Sequence, residues 1–273
     1  MNYQEYKPHK DLESIVKFYW TLEVPAQIDT QKQLILPDGC VDICFLLGDD
    51  IKRYTSETEF IVQPRQMLLG QITKQFYVEP TGNVHSFAVR FYPYSFANFI
   101  DKPLSELANK ETPLSELFGD EKANFLSQEI IQAKSTTERI DIIEKFLLER
   151  LNDKSTIDHI IKSTIDTMLS SNGSMHLMDI LKDNASKRRQ LERNFAKQIG
   201  ISPKQLSKVI RLQATLQMLL NQTTETLTDI AYESEYYDQA HFIKDFKEFT
   251  GLTPKEFLAD NKMTLSSLLY KKN

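Results

Sequence analysis

Two groups of residues have types and spacings suited to chemistry. The first lies in "KRRQLERNFAK" at 187–197, where Arg189 and Arg193 stand four apart and so share one side of a helix. A guanidinium can grip guanine through two parallel hydrogen bonds, and a carboxamide such as Gln190 can pair with adenine in the same way. Lys187, Arg188 and Lys197 suit phosphate oxygens, contacts that set register without reading sequence. The second group is Asp38, Cys40, Asp42 and Cys44, which would share one face of a strand. Such a face can hold a metal, but a turn aspartate followed by buried cysteines makes the same pattern. A metal site needs several ligands converging on one ion, and residues 1–150 offer only His9 and His85 as histidines. There is no nucleophile–base pair, phosphate loop or dinucleotide fingerprint, and "PDGC" reads as a turn. No catalysis, cofactor or metal is expected.

The elements that must position the basic face are marked by an internal repeat. "LERNFAKQIGISPKQL" begins at Leu191 and "FIKDFKEFTGLTPKEF" at Phe242, an offset of 51. Leu191, Phe195, Gly200, Ser202, Pro203 and Lys204 are answered by Phe242, Phe246, Gly251, Thr253, Pro254 and Lys255. The apolar pair at i and i+4 seals one side of a helix. Glycine fits the left-handed residue that closes it. Serine or threonine before proline then starts the next helix as N-cap and first residue. A shorter apolar helix precedes each copy, "MHLMDIL" at 175–181 and "TLTDIAYE" at 226–233. Short helix, tight turn and second helix make a helix-turn-helix, whose first helix braces and whose second enters the DNA major groove.

With Leu191 and Phe195 inward, Ser186, Arg189, Gln190, Arg193 and Lys197 face outward. In the second copy Phe242 and Phe246 point inward, Tyr237, Ala240 and Lys244 lie opposite, Gln239 and His241 sit on the shoulders, and Asp238 is placed to cap. A lone His241 suits a surface or phosphate contact better than a metal. Between the copies, Pro203 to Leu220 makes one helix of roughly 27 Å at 1.5 Å per residue. That approaches the ~34 Å between successive major-groove faces, so one chain can reach two of them.

At these residues the sequence resembles the AraC/XylS family of bacterial transcription regulators. Their double helix-turn-helix signature is seen here as "DIAYESEYYDQAHFIKDFKEFTGLTPKEF", and the match covers about 157–260. The resemblance implies base-reading positions at Arg189, Glu192 and Arg193 and at Gln239, Ala240, Ile243 and Lys244. The family's turn glycine is replaced by Ala185 and Glu235, and its bracing alanine by Leu181. "LILPDGCVDICFLLGD", "LLGQIT" and "FAVRFYPYSFANFIDKPLSEL" resemble the barrel that precedes the paired units in one branch of the family. That likeness covers roughly 10–118 and implies a cupin-like domain for an effector or for dimerisation. It also implies double-stranded DNA and RNA polymerase as partners.

The rest of the chain fits an α+β protein. Short aromatic and β-branched runs from 12 to about 95, cut by Pro, Gly and Asp-Asp, predict an antiparallel barrel or sandwich. "SFANFI", "PLSELANK" and "PLSELFG" predict short helical pieces. "EKANFLSQEIIQAK" and "STTERIDIIEKFLLERL" predict longer helices whose apolar stripes suit either packing on the barrel or a homodimer surface. "NDKST" at 152–156 is the expected linker between an N-terminal antiparallel β-barrel with helical connector at 1–152 and an all-α domain at 153–273. Within the latter, subdomains at about 157–202 and 222–260 are joined by a helix at 203–221.

The net charge of −5 is uneven: 16 Lys and Arg against 14 Asp and Glu from Ser155 onward give +2, leaving −7 for the remainder. Charge alone is a weak footprint for nucleic acid, so placement must carry the case. No apolar run approaches a membrane span and no secretory signal is evident, so a cytoplasmic protein is expected. The rival is a metal or small-molecule-binding cupin with a helical interaction domain.

Overall fold

The β-rich segments are short aromatic and β-branched runs, and in the computed structural model they pair into two antiparallel sheets. Residues 1–26, 32–151, 159–174, 185–221, 227–234, 236 and 238–259 are described. The strands are β1 (Asn2–Tyr6), β2 (Val16–Val24), β3 (Gln33–Ile35), β4 (Val41–Leu46), β5 (Ile51–Tyr54), β6 (Phe60–Val62), β7 (Gln66–Leu69), β8 (Phe76–Pro80), β9 (Val84–Phe91) and β10 (Glu111–Pro113). Their order is β1-β2-β9-β4-β7-β10 in the larger sheet and β3-β8-β5-β6 in the smaller.

Both faces of the larger sheet are covered, which is why every residue of β4 is buried and "VDICFL" lacks a solvent-facing alternation. One face carries Tyr19, Ile43, Phe45, Phe87 and Val89 onto a helical layer. That layer is α1 (Leu114–Phe118), α2 (Asp120–Gln132) and α3 (Thr136–Leu148). The inward residues of α2 and α3, among them Leu126, Ile130, Ile143 and Leu147, join this core, while Phe125, Ile131 and Leu148 on the same helices stay exposed. The other face carries Trp20, Cys44, Leu46, Met67 and Ala88 towards the smaller sheet. The expected strands from "SIVKFYWTLEV" to "HSFAVRFYP" are present. The polar β1, the short β5 and β10 were not expected.

The C-terminal part is helical: α4 (His159–Ser170), α5 (Ala185–Gln198), α6 (Pro203–Asn221), α7 (Leu227–Glu233), α8 (Gln239–Thr250) and α9 (Pro254–Ala259). Helix α6 serves two cores. Its Leu206 and Ile210 pack with Ile161, Ile165, Leu191 and Phe195. Its Val209, Leu212, Leu216 and Leu219 pack with Ile230, Phe242 and Phe246. Neither core is purely helical, because Tyr94 joins the first and Leu34 and Leu36 join the second. The expected linker at 152–156 and the first bracing helix at 175–181 lie outside the described residues.

Candidate nucleic-acid interface

The repeat produces one local design twice. In the first copy α5 ends at the Phe195 carbonyl, which accepts from the Ile199 and Gly200 amides at 2.7 and 3.1 Å. Gly200 has φ +93°. A Cβ there would lie 2.9 Å from the Leu104 carbonyl oxygen, so this turn is docked tightly on the N-terminal part of the chain. In the second copy Gly251, at φ +72°, closes α8 by donating to the Lys247 carbonyl. Both positions need the left-handed backbone that glycine adopts without a steric penalty.

The next helix then starts identically in each copy. The Ser202 hydroxyl accepts from the Gln205 amide at 3.2 Å while the Gln205 side chain accepts from the Ser202 amide at 3.0 Å. Thr253 and Glu256 do the same at 3.3 and 2.7 Å. These are reciprocal capping boxes. The hydrogen-bonded Glu256 carboxyl is held below its ordinary pKa by the Thr253 amide and hydroxyl. Gln205 and Glu256 are also 51 apart, a further matched pair within the repeat, and the S/T-x-x-E/Q spacing is its signal in sequence.

The expected inward residues are inward: Leu191, Phe195, Phe242 and Phe246 are buried. Arg188, Arg189, Gln190, Glu192, Arg193 and Lys197 are exposed along α5. Arg188 Nε lies 3.1 Å from Glu192 Oε1, one turn on, so these two form a surface pair beside Arg189 and Arg193. Lys197 also borders a groove whose other walls include Asp101, Lys102 and Arg150. The side chains of Ser186 and Lys187 lie outside the described residues. Ala185 is the first residue of α5.

In the second copy α7 supplies the brace at Leu227–Glu233, within the range expected. Asp238 caps α8, its carboxylate accepting from the His241 amide at 2.7 Å. Gln239, Ala240, His241 and Lys244 are exposed, whereas Ile243 is half-buried against the aromatic core. Ile243 can therefore offer only part of its side chain outward. His241 packs edge-on to Tyr236 at 5.5 Å between ring centroids. Tyr237 and Glu235 lie outside the described residues.

One positioning group had no sequence signal. Lys208 of α6 reaches Asp245 at 3.3 Å and Glu248 at 3.1 Å, both on α8. These two carboxylates hold the ammonium above its usual pKa against the opposing effect of partial burial. The bridge fixes the roll of α8 relative to α6.

The Asp38–Cys44 group is organised around an ion pair. No group of three or more His, Cys, Asp or Glu suited to a metal occurs among the described residues. Asp42 instead faces Arg90 directly across the β4–β9 ladder. Arg90 Nε and Nη2 donate to its two oxygens at 3.0 and 2.7 Å, and Nη2 also lies 2.7 Å from Asp38. Burial pushes both thiols up, Cys40 to about 11, which disfavours the thiolate form of each.

Comparison with known proteins agrees with this geometry. A helix-turn-helix domain model matches residues 183–260, and a domain of unknown function, DUF6597, matches 4–113. An HTH-type transcriptional regulator of Haemophilus influenzae is 25% identical over 171 residues, covering 60% of this chain and 55% of that protein. An HTH-type regulator of Staphylococcus aureus is 33% identical over 70 residues, covering 26% of this chain and 9% of that protein. The chain thus spans about half the length of the first relative and a small part of the second. ToxT from Vibrio cholerae superposes with a TM-score of 0.49 at 14% identity, covering 90% of this chain and 99% of that one. No helix among the described residues is long and apolar enough to cross a membrane. Residues 183–260 are thus similar to a helix-turn-helix domain of the AraC type, here built on two copies of one capped helical turn.

Proposed function

We propose that the chain is a sequence-specific DNA-binding transcription regulator that sets α5 and α8 into two adjacent major-groove segments of double-stranded DNA. Arg189 and Arg193 read bases, with Gln190 beside them; Lys187, Arg188 and Lys197 meet phosphates. Gln239, Ala240 and Lys244 form the second reading face, flanked by His241 and the outer part of Ile243, and Glu192 acts through Arg188. The observation that carries the reading is the exposure of Arg189 and Arg193 on a helix whose opposite side, Leu191 and Phe195, is sealed. The N-terminal part, residues 1–152, senses a small-molecule effector and turns no substrate over. RNA polymerase is the downstream partner, a homodimer through the N-terminal part is compatible with the exposed residues of α2 and α3, and the protein works in the cytoplasm.

The test begins with selection of bound fragments from genomic DNA, followed by mobility-shift titration. Arg189→Ala and Arg193→Ala should each reduce discrimination between selected and random DNA by ~1–3 kcal/mol. Affinity of the intact protein should fall steeply with salt as counterions are released. Unchanged discrimination in both variants would overturn the assigned face.

A further inference from the structure

Helix α6 packs on both units through its apolar sides, and apolar contact is non-directional. Packing of that kind fixes the angle between helices only to within about 15–20°. Successive base pairs of a duplex are turned by about 35°, given 10–10.5 per turn. A reading helix loose by half that angle would straddle two registers, so a directional contact is needed to set the second unit against the first. The polar side of α6 supplies one. Ser207, Arg211 and Thr215 recur every four residues and so share one side of the helix. The Ser207 hydroxyl donates to the Gly173 carbonyl at 2.7 Å, in the first unit. The Thr215 hydroxyl lies 3.1 Å from that of buried Ser234, just past α7 in the second. Arg211, between them, reaches both. Its Nη2 donates to the same Gly173 carbonyl at 2.8 Å, and its guanidinium carbon stands 5.1 Å from the centre of the Tyr236 ring.

Both contacts are themselves anchored. The Gly173 amide donates to the Met168 carbonyl at 2.7 Å. That ties it to α4, whose Ile161, Ile165 and Met168 share a core with Leu191 and Phe195 of α5. A Cβ at Gly173 would lie 2.3 Å from the Ser207 carbonyl oxygen, so this turn sits directly on α6. The Tyr236 amide donates to the Ala231 carbonyl of α7 at 2.9 Å. Its ring lies 5.4 Å from that of Phe242 and 5.5 Å from that of His241, both at the start of α8. A guanidinium is planar, so an in-plane hydrogen bond fixes its orientation and leaves a face for an aromatic ring. Arg211 Nε is buried without a partner among the described residues, which leaves the carbonyl and the ring to orient the group. An ammonium has no such plane, so lysine would keep the charge and lose this geometry.

We propose that Arg211 is a positioning residue: gripping Gly173 of the first unit and stacking on Tyr236 of the second, it fixes the angle between α5 and α8. The protein then selects DNA by the spacing of the two read segments as well as by their bases. The consequence for DNA rests on the DNA-binding reading above; the fixed angle does not.

The full chain would be titrated against a selected duplex and against versions with one base pair inserted or deleted between the two read segments. The unaltered protein should bind both altered duplexes at least ~tenfold more weakly, as it would a mismatched base pair. In Arg211→Met that penalty should shrink to less than ~threefold, because a helix free to turn by about 15–20° meets either register. Tyr236→Leu, which removes the ring and keeps the guanidinium, should act in the same direction, and Arg211→Lys should not restore the penalty. Equal weakening on all three duplexes, the mark of lost stability, would overturn the proposal. So would full restoration by Arg211→Lys, the mark of charge alone. A salt slope lower by about one in Arg211→Met would assign the residue to a phosphate instead and also overturn it. Should Arg211→Met fail to fold, Tyr236→Leu decides. In the free protein, with Cys40→Ala and Cys44→Ala, spin labels attached through Lys197→Cys and Lys247→Cys report the distance between α5 and α8. Arg211→Met should broaden that distance distribution, and an unchanged one would refute the positioning. This last measurement uses no DNA, so its failure is distinct from a failure of the DNA-binding reading.

Discussion

Replacing Arg90 with methionine should leave a buried carboxylate without its partner. Asp42 is 5% exposed, and Arg90 supplies both of its side-chain hydrogen bonds. Asp38 fares better, because it still accepts from the Cys40 amide at 3.0 Å. The loss therefore falls mainly on Asp42. Removing one member of a buried pair costs about 3–5 kcal/mol, a large share of the roughly 5–15 kcal/mol that holds a domain folded. Burial already pushes the Asp42 carboxyl up in the intact protein, with Arg90 pulling against it. Without Arg90 that opposition is gone and the folded pKa rises further above its unfolded value. A group raised in this way favours the folded state below its unfolded pKa of about 4, and the benefit is lost as pH rises through the folded value. The deficit of Arg90→Met, measured by urea unfolding with far-UV circular dichroism, should therefore be largest near pH 8 and shrink towards pH 5. Adding Asp42→Asn should recover part of it, since neither partner is then a stranded charge. A deficit below about 1 kcal/mol, or one that is equal at both pH values and untouched by Asp42→Asn, would refute the reasoning.

Two further outcomes follow from the interface. Ser202→Ala and Thr253→Ala should each cost about 1 kcal/mol in urea unfolding, because each opens a capping box of the same construction; a loss at only one site would show that the two turns are not energetic equivalents. Lys208→Ala leaves Asp245, only 6% exposed, without its ammonium, and should cost roughly 1–3 kcal/mol. It should also weaken protection of the DNA segment under α8 while sparing that under α5, readable by footprinting; an even loss across both segments would contradict its placement.

The helical half of the fold was legible because its signals are local. Glycine at a left-handed closure, a hydroxyl before proline and an apolar pair four apart each act within one turn, and recurrence at a single offset made them recognisable. The central strands β2, β4 and β9 were legible through their apolar runs. Strand β1 was not, because an edge strand covered on few sides can be as polar as "NYQEY". The Arg90–Asp42 pair was invisible since it depends on which strands become neighbours, 48 residues apart in sequence. Nor could sequence tell that Leu34 and Leu36 turn away from their own sheet to join the core beneath α6. Helix α6 did carry a hint: its buried residues, from Leu206 to Leu219, occupy more of the circumference than one partner requires. Lys208 stayed hidden because a salt bridge between separate helices leaves no spacing pattern.

The claim that one chain presents two reading helices to consecutive major-groove faces is tested most directly by hydroxyl-radical footprinting of the intact protein on a selected duplex. Two protected patches should appear about 10 bp apart, and the combined Arg189→Ala and Arg193→Ala variant should erase only one of them. A single patch, or the loss of both patches together, would contradict it.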